Sequence, residues 1–264
     1  MTVIICEPRY INDYMNALAE TYGITILHAC ESGSRAWGFE SPDSDYDVRF
    51  IYTQPLSRYL CLEKPHDSIA EFSSDRVMDF HGWDIRKALG LLVKGNASFV
   101  EWMNSPIIYQ QDWIFADAVA NMMPRELDLG SCFAHYRSMA KKHYLEHVKD
   151  RETVNSKKFL YVLRPLLAAQ WIHQYGTFPP VAFRELIGSM FDQNNSTRVE
   201  IEKLISLKMT QNEQGDVPAA EYLTVFIQEE IVRQESIKFP SVEISTRDVN
   251  KLLRDTILRF DRGH

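Results

Sequence analysis

The spacing of apolar side chains divides the chain into a front half of short, mixed segments and a back half that is helical almost throughout. Ile11, Tyr14, Met15, Leu18 and Tyr22 recur at the spacing of one helix face, which predicts a helix over 10–22 ended by Gly23. Residues 24–29 are apolar and partly β-branched, the composition of a buried strand. Gly33 to Gly38 is a turn opening a short helix, 40–44 reads as loop, and 45–52 is the next strand. Residues 67–72 and 76–81, separated by Ser73-Ser74-Asp75, read as a hairpin. Asp84 is placed to cap a helix over 85–94, which Gly95-Asn96 breaks. A short helix over 97–103 stops at Ser105-Pro106, and 107–109 is a small further strand.

From about residue 111 the pattern is helical nearly to the end. Segments near 130–150, 155–175, 181–191, 196–211, 217–236 and 246–260 are the candidates, with breaks at Pro179-Pro180 and Asn194-Asn195. Ser245-Thr246-Arg247-Asp248 resembles a capping box before the last helix. Strands with interleaved helices followed by helices alone predict an α+β domain over 1–110, a small mixed sheet with flanking helices, and an all-helical domain over 111–264.

Composition narrows the function classes. The 264 residues are 45% hydrophobic, 25% charged and 12% aromatic, which fits a globular protein. A formal net charge of −7 argues against coating nucleic acid through bulk charge, while a local basic site for one nucleic-acid end stays compatible with it. Cys6, Cys30, Cys61 and Cys132 are far apart and form no CxxC pair, which suits reduced thiols better than a disulfide frame. No apolar run approaches the roughly 18 residues of a membrane helix. No basic stretch followed by an apolar core marks a signal peptide, so a cytoplasmic location and no membrane partner are expected.

The chemistry concentrates in residues 31–49. Gly33, Ser34 and Gly38 form a small-residue turn whose amides can approach an anion. Asp45 and Asp47 follow one short loop later, and on an extended strand residues two apart share a face. An isolated Asp-x-Asp is ordinarily a turn cap and a solvated strand residue. Here the strand is otherwise apolar at Val48, Phe50 and Ile51, and two carboxylates on such a surface call for a cation between them. Mg²⁺ favours carboxylate and phosphate oxygens. Asp79, in the middle of a later strand, is preferred as the third carboxylate over Asp84, whose position suits an N-cap.

These residues resemble the DNA polymerase β-like nucleotidyltransferase superfamily: Gly-Ser, a short loop, Asp-x-Asp on a strand, and a third carboxylate on a later strand. A longer string is similar to one branch, the predicted nucleotidyltransferases linked to RNA repair. It comprises Gly33-Ser-Arg-Ala-Trp-Gly38, Ser44-Asp-Tyr-Asp-Val-Arg49, Gly82-Trp-Asp-Ile-Arg-Lys87, Asn96, Glu101-Trp102, Ser105-Pro-Ile-Ile-Tyr109 and Lys158-Phe-Leu-Tyr-Val-Leu-Arg164-Pro. The likeness covers about residues 24–185.

The resemblance implies two Mg²⁺ ions, an NTP donor and transfer of a nucleotidyl group to a hydroxyl with loss of pyrophosphate. It makes 1–110 the catalytic domain and 111–264 the helical substrate-binding domain. It implies that Asp45, Asp47 and Asp79 hold the metals and that Gly33 and Ser34 bind the triphosphate. An RNA or tRNA end is the acceptor it suggests. The alternatives are a transferase that nucleotidylates a protein, as toxin–antitoxin relatives do, and a non-catalytic NTP-binding regulator on the same fold. The oligomeric state is open.

Arg49, two residues from Asp47, is either a partner of the carboxylates or a substrate contact, and Arg35 in the turn is equally open. Lys158, Tyr161 and Arg164 fall within one broad helix face and are, by analogy with related helical domains, candidates to meet the nucleotide; the other reading is a solvated basic stripe. His143-Tyr-Leu-Glu146-His147 matches the inverted zinc-peptidase pattern, but Lys141, Lys142 and Lys149 around it favour a polar helix face. His81 is expected to order its strand, and Trp83, Trp102 and Trp171 read first as core.

Overall fold

The computed structural model describes residues 8–210, 216–218, 221–240, 242 and 244–261. In chain order the elements are α1 (Pro8–Tyr22), β1 (Thr25–Glu31), α2 (Gly33–Trp37), β2 (Tyr46–Thr53), α3 (Leu56–Tyr59), β3 (Ser68–Phe72), β4 (Met78–Asp84), α4 (Ile85–Val93), α5 (Ala97–Met103) and β5 (Ile108–Gln111). They continue as α6 (Trp113–Glu126), α7 (Leu129–His147), β6 (Thr153–Asn155), α8 (Ser156–Tyr175), α9 (Phe183–Met190), α10 (Ser196–Thr210), β7 (Asp216–Pro218), α11 (Glu221–Glu235) and α12 (Arg247–Asp261). The class is α+β, as expected. Cys6 lies outside the described residues, and among the described residues Cys30, Cys61 and Cys132 form no disulfide. No helix among the described residues is long and apolar enough to cross a membrane.

The chain falls into two compact units. One takes its residues from Met1–Gly33, Asp45–Asp128 and Glu243–His264, the other from Ser34–Ser44 and Leu129–Val242. The loop after Gly33 therefore clusters with the helical unit, and α12 with the sheet unit.

The sheet unit holds five strands in the order β3-β4-β2-β1-β5. In it β2 and β4 pair in parallel, and the neighbours β1–β2, β1–β5 and β3–β4 are antiparallel. One face buries Tyr46, Val48, Phe50 and Tyr52 of β2 and Met78 and Phe80 of β4 against Ile11, Met15 and Leu18 of α1. The ring of Tyr14 stacks on Phe80 at 4.3 Å. Removing a fully buried phenylalanine such as Phe80 costs about 3–5 kcal/mol. Gly82 lets the Phe50 ring lie across β4, since a Cβ there would stand 2.1 Å from Phe50 Cε2. The opposite face is covered by α4 and α5, with α6 against β1 and α12 against α3, α4 and α6.

In the helical unit α8 is the centre. Val162, Leu163, Leu166, Leu167, Ala168, Ala169 and Ile172 are fully buried, so apolar residues run all round the helix. α7, α9, α10 and α11 pack against it. A two-stranded ribbon of β6 and β7 accompanies them. The expected helix over 217–236 thus begins later, at Glu221, and Asp216–Pro218 form a strand.

Candidate active site

In the sheet unit, alternate residues of β2 and β4 face away from α1: Asp47 and Arg49 on β2, and Asp79, His81 and Trp83 on β4. The parallel register sets Asp47 opposite Asp79 and Arg49 opposite His81. Trp83 and Trp102 stack at 3.5 Å and cover the far end of this face. Its near end, at the starts of both strands, is half-exposed, with Asp47 at 30% and Asp79 at 31%.

One nitrogen joins the two acids. Arg49 Nη2 donates to Asp47 Oδ1 at 2.8 Å and to Asp79 Oδ2 at 2.9 Å, and Nη1 donates to the Asp79 carbonyl at 2.9 Å. A cation thus stands between facing carboxylates, offsetting the repulsion expected of such a pair. Burial lowers the pKa of His81, and the Arg49 charge lowers it further. Asp45 sits one residue before β2 with its side chain exposed.

Gly33 has φ +60°, and a Cβ there would lie 2.2 Å from Asp47 Oδ2. The backbone therefore passes against the carboxylate in a way open to glycine alone. Ser32 N donates to the Asp47 carbonyl at 2.9 Å.

Behind Asp47 lies an acid that the motifs did not flag. Glu31 is fully buried; its Oε1 accepts from Asp47 N at 2.7 Å and its Oε2 from the Tyr109 hydroxyl. A charged residue ending an otherwise apolar strand was the available signal. Asp84 is used differently. It caps α4, accepting from Arg86 N at 2.8 Å, and also accepts from Tyr59 at 2.7 Å and Gln54 at 3.0 Å.

In the helical unit, Ser34 is buried and its hydroxyl donates to Ser44 Oγ at 3.4 Å. Arg35 donates to the Ser44 carbonyl at 2.8 Å. Lys208, only 2% exposed, reaches Ser41 Oγ and Ser44 Oγ at 3.3 Å. No pattern in the sequence pointed to Lys208. The Arg164 guanidinium is buried over the Trp37 ring at 4.5 Å and donates to the Val181 carbonyl. Tyr161 meets Trp37 edge-on at 5.3 Å, so Tyr161 and Arg164 come together around one indole. Lys158 is exposed. Tyr161 and Arg164 thus hold the loop carrying Ser34, and Lys158 stands apart from them.

The donors at Asp45, Asp47 and Asp79 are hard oxygens of the kind Mg²⁺ prefers, and the facing Asp47 and Asp79 carboxylates already hold a cationic group between them.

The family described as RlaP, RNA repair pathway DNA polymerase beta family, matches residues 9–255. The chain is 36% identical over 250 residues to the uncharacterised protein YcgL of Bacillus subtilis (strain 168), covering 94% of this chain and 95% of that protein. It is also similar to the solved structure of a nucleotidyltransferase-like protein from Exiguobacterium sibiricum 255-15, at 9% identity and a TM-score of 0.32, with 95% of this chain and 90% of that one covered.

Proposed function

Because the chain belongs to the RNA repair pathway DNA polymerase beta family, and is thereby a DNA polymerase β-like nucleotidyltransferase, we propose that it transfers a nucleotidyl group from an NTP to the hydroxyl of an RNA end. The acceptor oxygen attacks the α-phosphorus, the bond to the bridging oxygen breaks, and pyrophosphate leaves. The observation that supports this most is the pairing of Asp47 and Asp79 in register, with Gly33 backbone against the Asp47 carboxylate.

In this reading Asp45, Asp47 and Asp79 hold two Mg²⁺ ions, which when bound would activate the hydroxyl and stabilise charge on pyrophosphate. Gly33 and Ser34 receive the triphosphate. Arg49 holds the Asp47 and Asp79 carboxylates to a common partner. Glu31 orients Asp47 through its backbone amide. Arg35, Lys158, Tyr161 and Arg164 serve the nucleotide, with Tyr161 and Arg164 acting through Trp37. The catalytic role belongs to residues of 1–110 and the substrate-binding role to residues of 111–264.

Incubation with each labelled NTP, Mg²⁺ and pooled RNA or protein tests the proposal. Label on RNA that disappears in Asp45→Ala and Asp47→Ala supports it. Label on protein moves the acceptor to the toxin–antitoxin type of reaction, and bound NTP without transfer leaves a regulator. Undiminished labelling in both variants refutes the metal assignment.

A further inference from the structure

The helical unit carries a second group of ligands that the transferase chemistry does not use. His143, Glu146 and His147 lie in the last turn of α7, and one ligand atom from each falls within 4.8 Å of the other two. We propose that these three residues bind one divalent transition-metal ion of the zinc class, independently of the Asp45, Asp47 and Asp79 carboxylates.

Helical spacing alone brings residues three and four apart together, so the pattern by itself says little. Three further observations carry the proposal. The two imidazoles are nearly parallel, 22° between planes with centroids 5.9 Å apart. His143 Nδ1 is buried with no hydrogen-bond partner, a nitrogen that a metal would satisfy. The site also sits at the C-terminal end of α7, which stops at His147, where the helix dipole favours a cation.

The neighbouring lysines, which in the sequence favoured a plain polar face, leave room for the ion. Lys142 is 4.0 Å from Glu146 Oε1 but 70% exposed, and Lys158, whose charge is felt at His143, is exposed as well. Both ammonium groups can turn to water on long stems. Glu146, at 48% exposure, can then accept the metal.

Two nitrogens and one carboxylate oxygen, with water as fourth ligand, suit tetrahedral zinc. Imidazole donors select zinc over magnesium, whereas the all-oxygen donors of β2 and β4 select the reverse. The ion would fasten the end of α7 beside Tyr161, whose ring meets His143 edge-on at 6.2 Å.

Equilibrium dialysis of the untagged full chain against zinc, with magnesium in large excess, tests this. The expected result is about one zinc per chain. His143→Ala and His147→Ala should each weaken binding at least about tenfold, and Glu146→Gln by less. Circular dichroism checks that the variants fold. Glu146→Gln, on an exposed side chain, keeps the test open should a histidine variant not fold. Cobalt in place of zinc should give tetrahedral visible bands in the wild type that fade in Glu146→Gln. Zinc well below one per chain, zinc displaced by magnesium, or binding unchanged in all three variants overturns the proposal. None of these outcomes depends on nucleotidyl transfer.

Discussion

The carboxylate of Asp47 lies where a side chain at Gly33 would have to be, with 2.2 Å between Oδ2 and a Cβ built on the glycine. Gly33→Ala meets two penalties. The left-handed φ of +60° costs an alanine about 1 kcal/mol, and the Cβ pushes the carboxylate aside. A displacement of about 1 Å at a reacting centre costs on the order of 100-fold in rate. The variant should keep a cooperative thermal melt, only modestly lowered, and lose about two orders of magnitude in transfer from NTP. A wild-type rate would separate Asp47 from the chemistry.

Glu31 and Tyr109 form the support behind Asp47, and the two can be removed separately. Tyr109→Phe deletes one donor to a fully buried carboxylate and should cost about 1–3 kcal/mol in a denaturant melt. Glu31→Ala strands both the Asp47 amide and the Tyr109 hydroxyl, so it should cost at least as much and slow transfer further. If Glu31→Ala leaves both stability and rate untouched, Glu31 does not position Asp47.

His28 predicts an acid limb in stability. It is buried in β1, its Nε2 donates to the Trp102 carbonyl at 2.9 Å, and burial lowers its pKa. The unfolded chain takes up a proton near the ordinary histidine value of about 6.5, while the folded chain resists until lower pH. The folded state is therefore favoured above that value and loses stability as pH falls through the interval between the two. One such group gives a slope of up to about 1.4 kcal/mol per pH unit. His81 and His143, also lowered, add to the same limb. Urea melts from neutral pH downward should show a shallower decline in His28→Met than in the wild type. Equal slopes would remove His28 from the account.

Local patterns were legible wherever neighbours in sequence decide the outcome. The spacing in α1, the cap at Asp84, the breaks around α5 and the hairpin of β3 and β4 all follow from residues within a turn or two. Asp47 and Asp79 could be picked out because each is an acid in a strand of otherwise largely apolar residues. The parallel pairing that aligns them could not, since strand order depends on how α3 and β3 carry the chain back. The same holds for α12, whose pattern shows an amphipathic helix and not the α4 and α6 surfaces it covers. Lys208 is a lysine on a mixed helix until the fold buries it against Ser41 and Ser44, more than 160 residues away in sequence. Glu31 is similar: its role exists only once Asp47 N and Tyr109 converge on it.

The choice of third carboxylate rests on Asp79 and Asp84, and their surroundings predict opposite phenotypes. Asp84 is 2% exposed and accepts three hydrogen bonds, from Arg86 N, Tyr59 and Gln54. Removing an N-cap costs about 1 kcal/mol, and a buried donor left unpaired costs a further 1–3 or so. Asp84→Ala should therefore destabilise by roughly 2–4 kcal/mol and lower activity only as the fold is lost. Asp79 is 31% exposed, and Arg49 keeps its bond to Asp47 when Asp79 is gone. Asp79→Ala should melt near the wild type and lose transfer by at least about 100-fold, the scale on which charge-stabilising groups act. Denaturant melts and labelled-NTP turnover, run in parallel on both variants, decide it. A stable and inactive Asp84→Ala beside an active Asp79→Ala would exchange their roles.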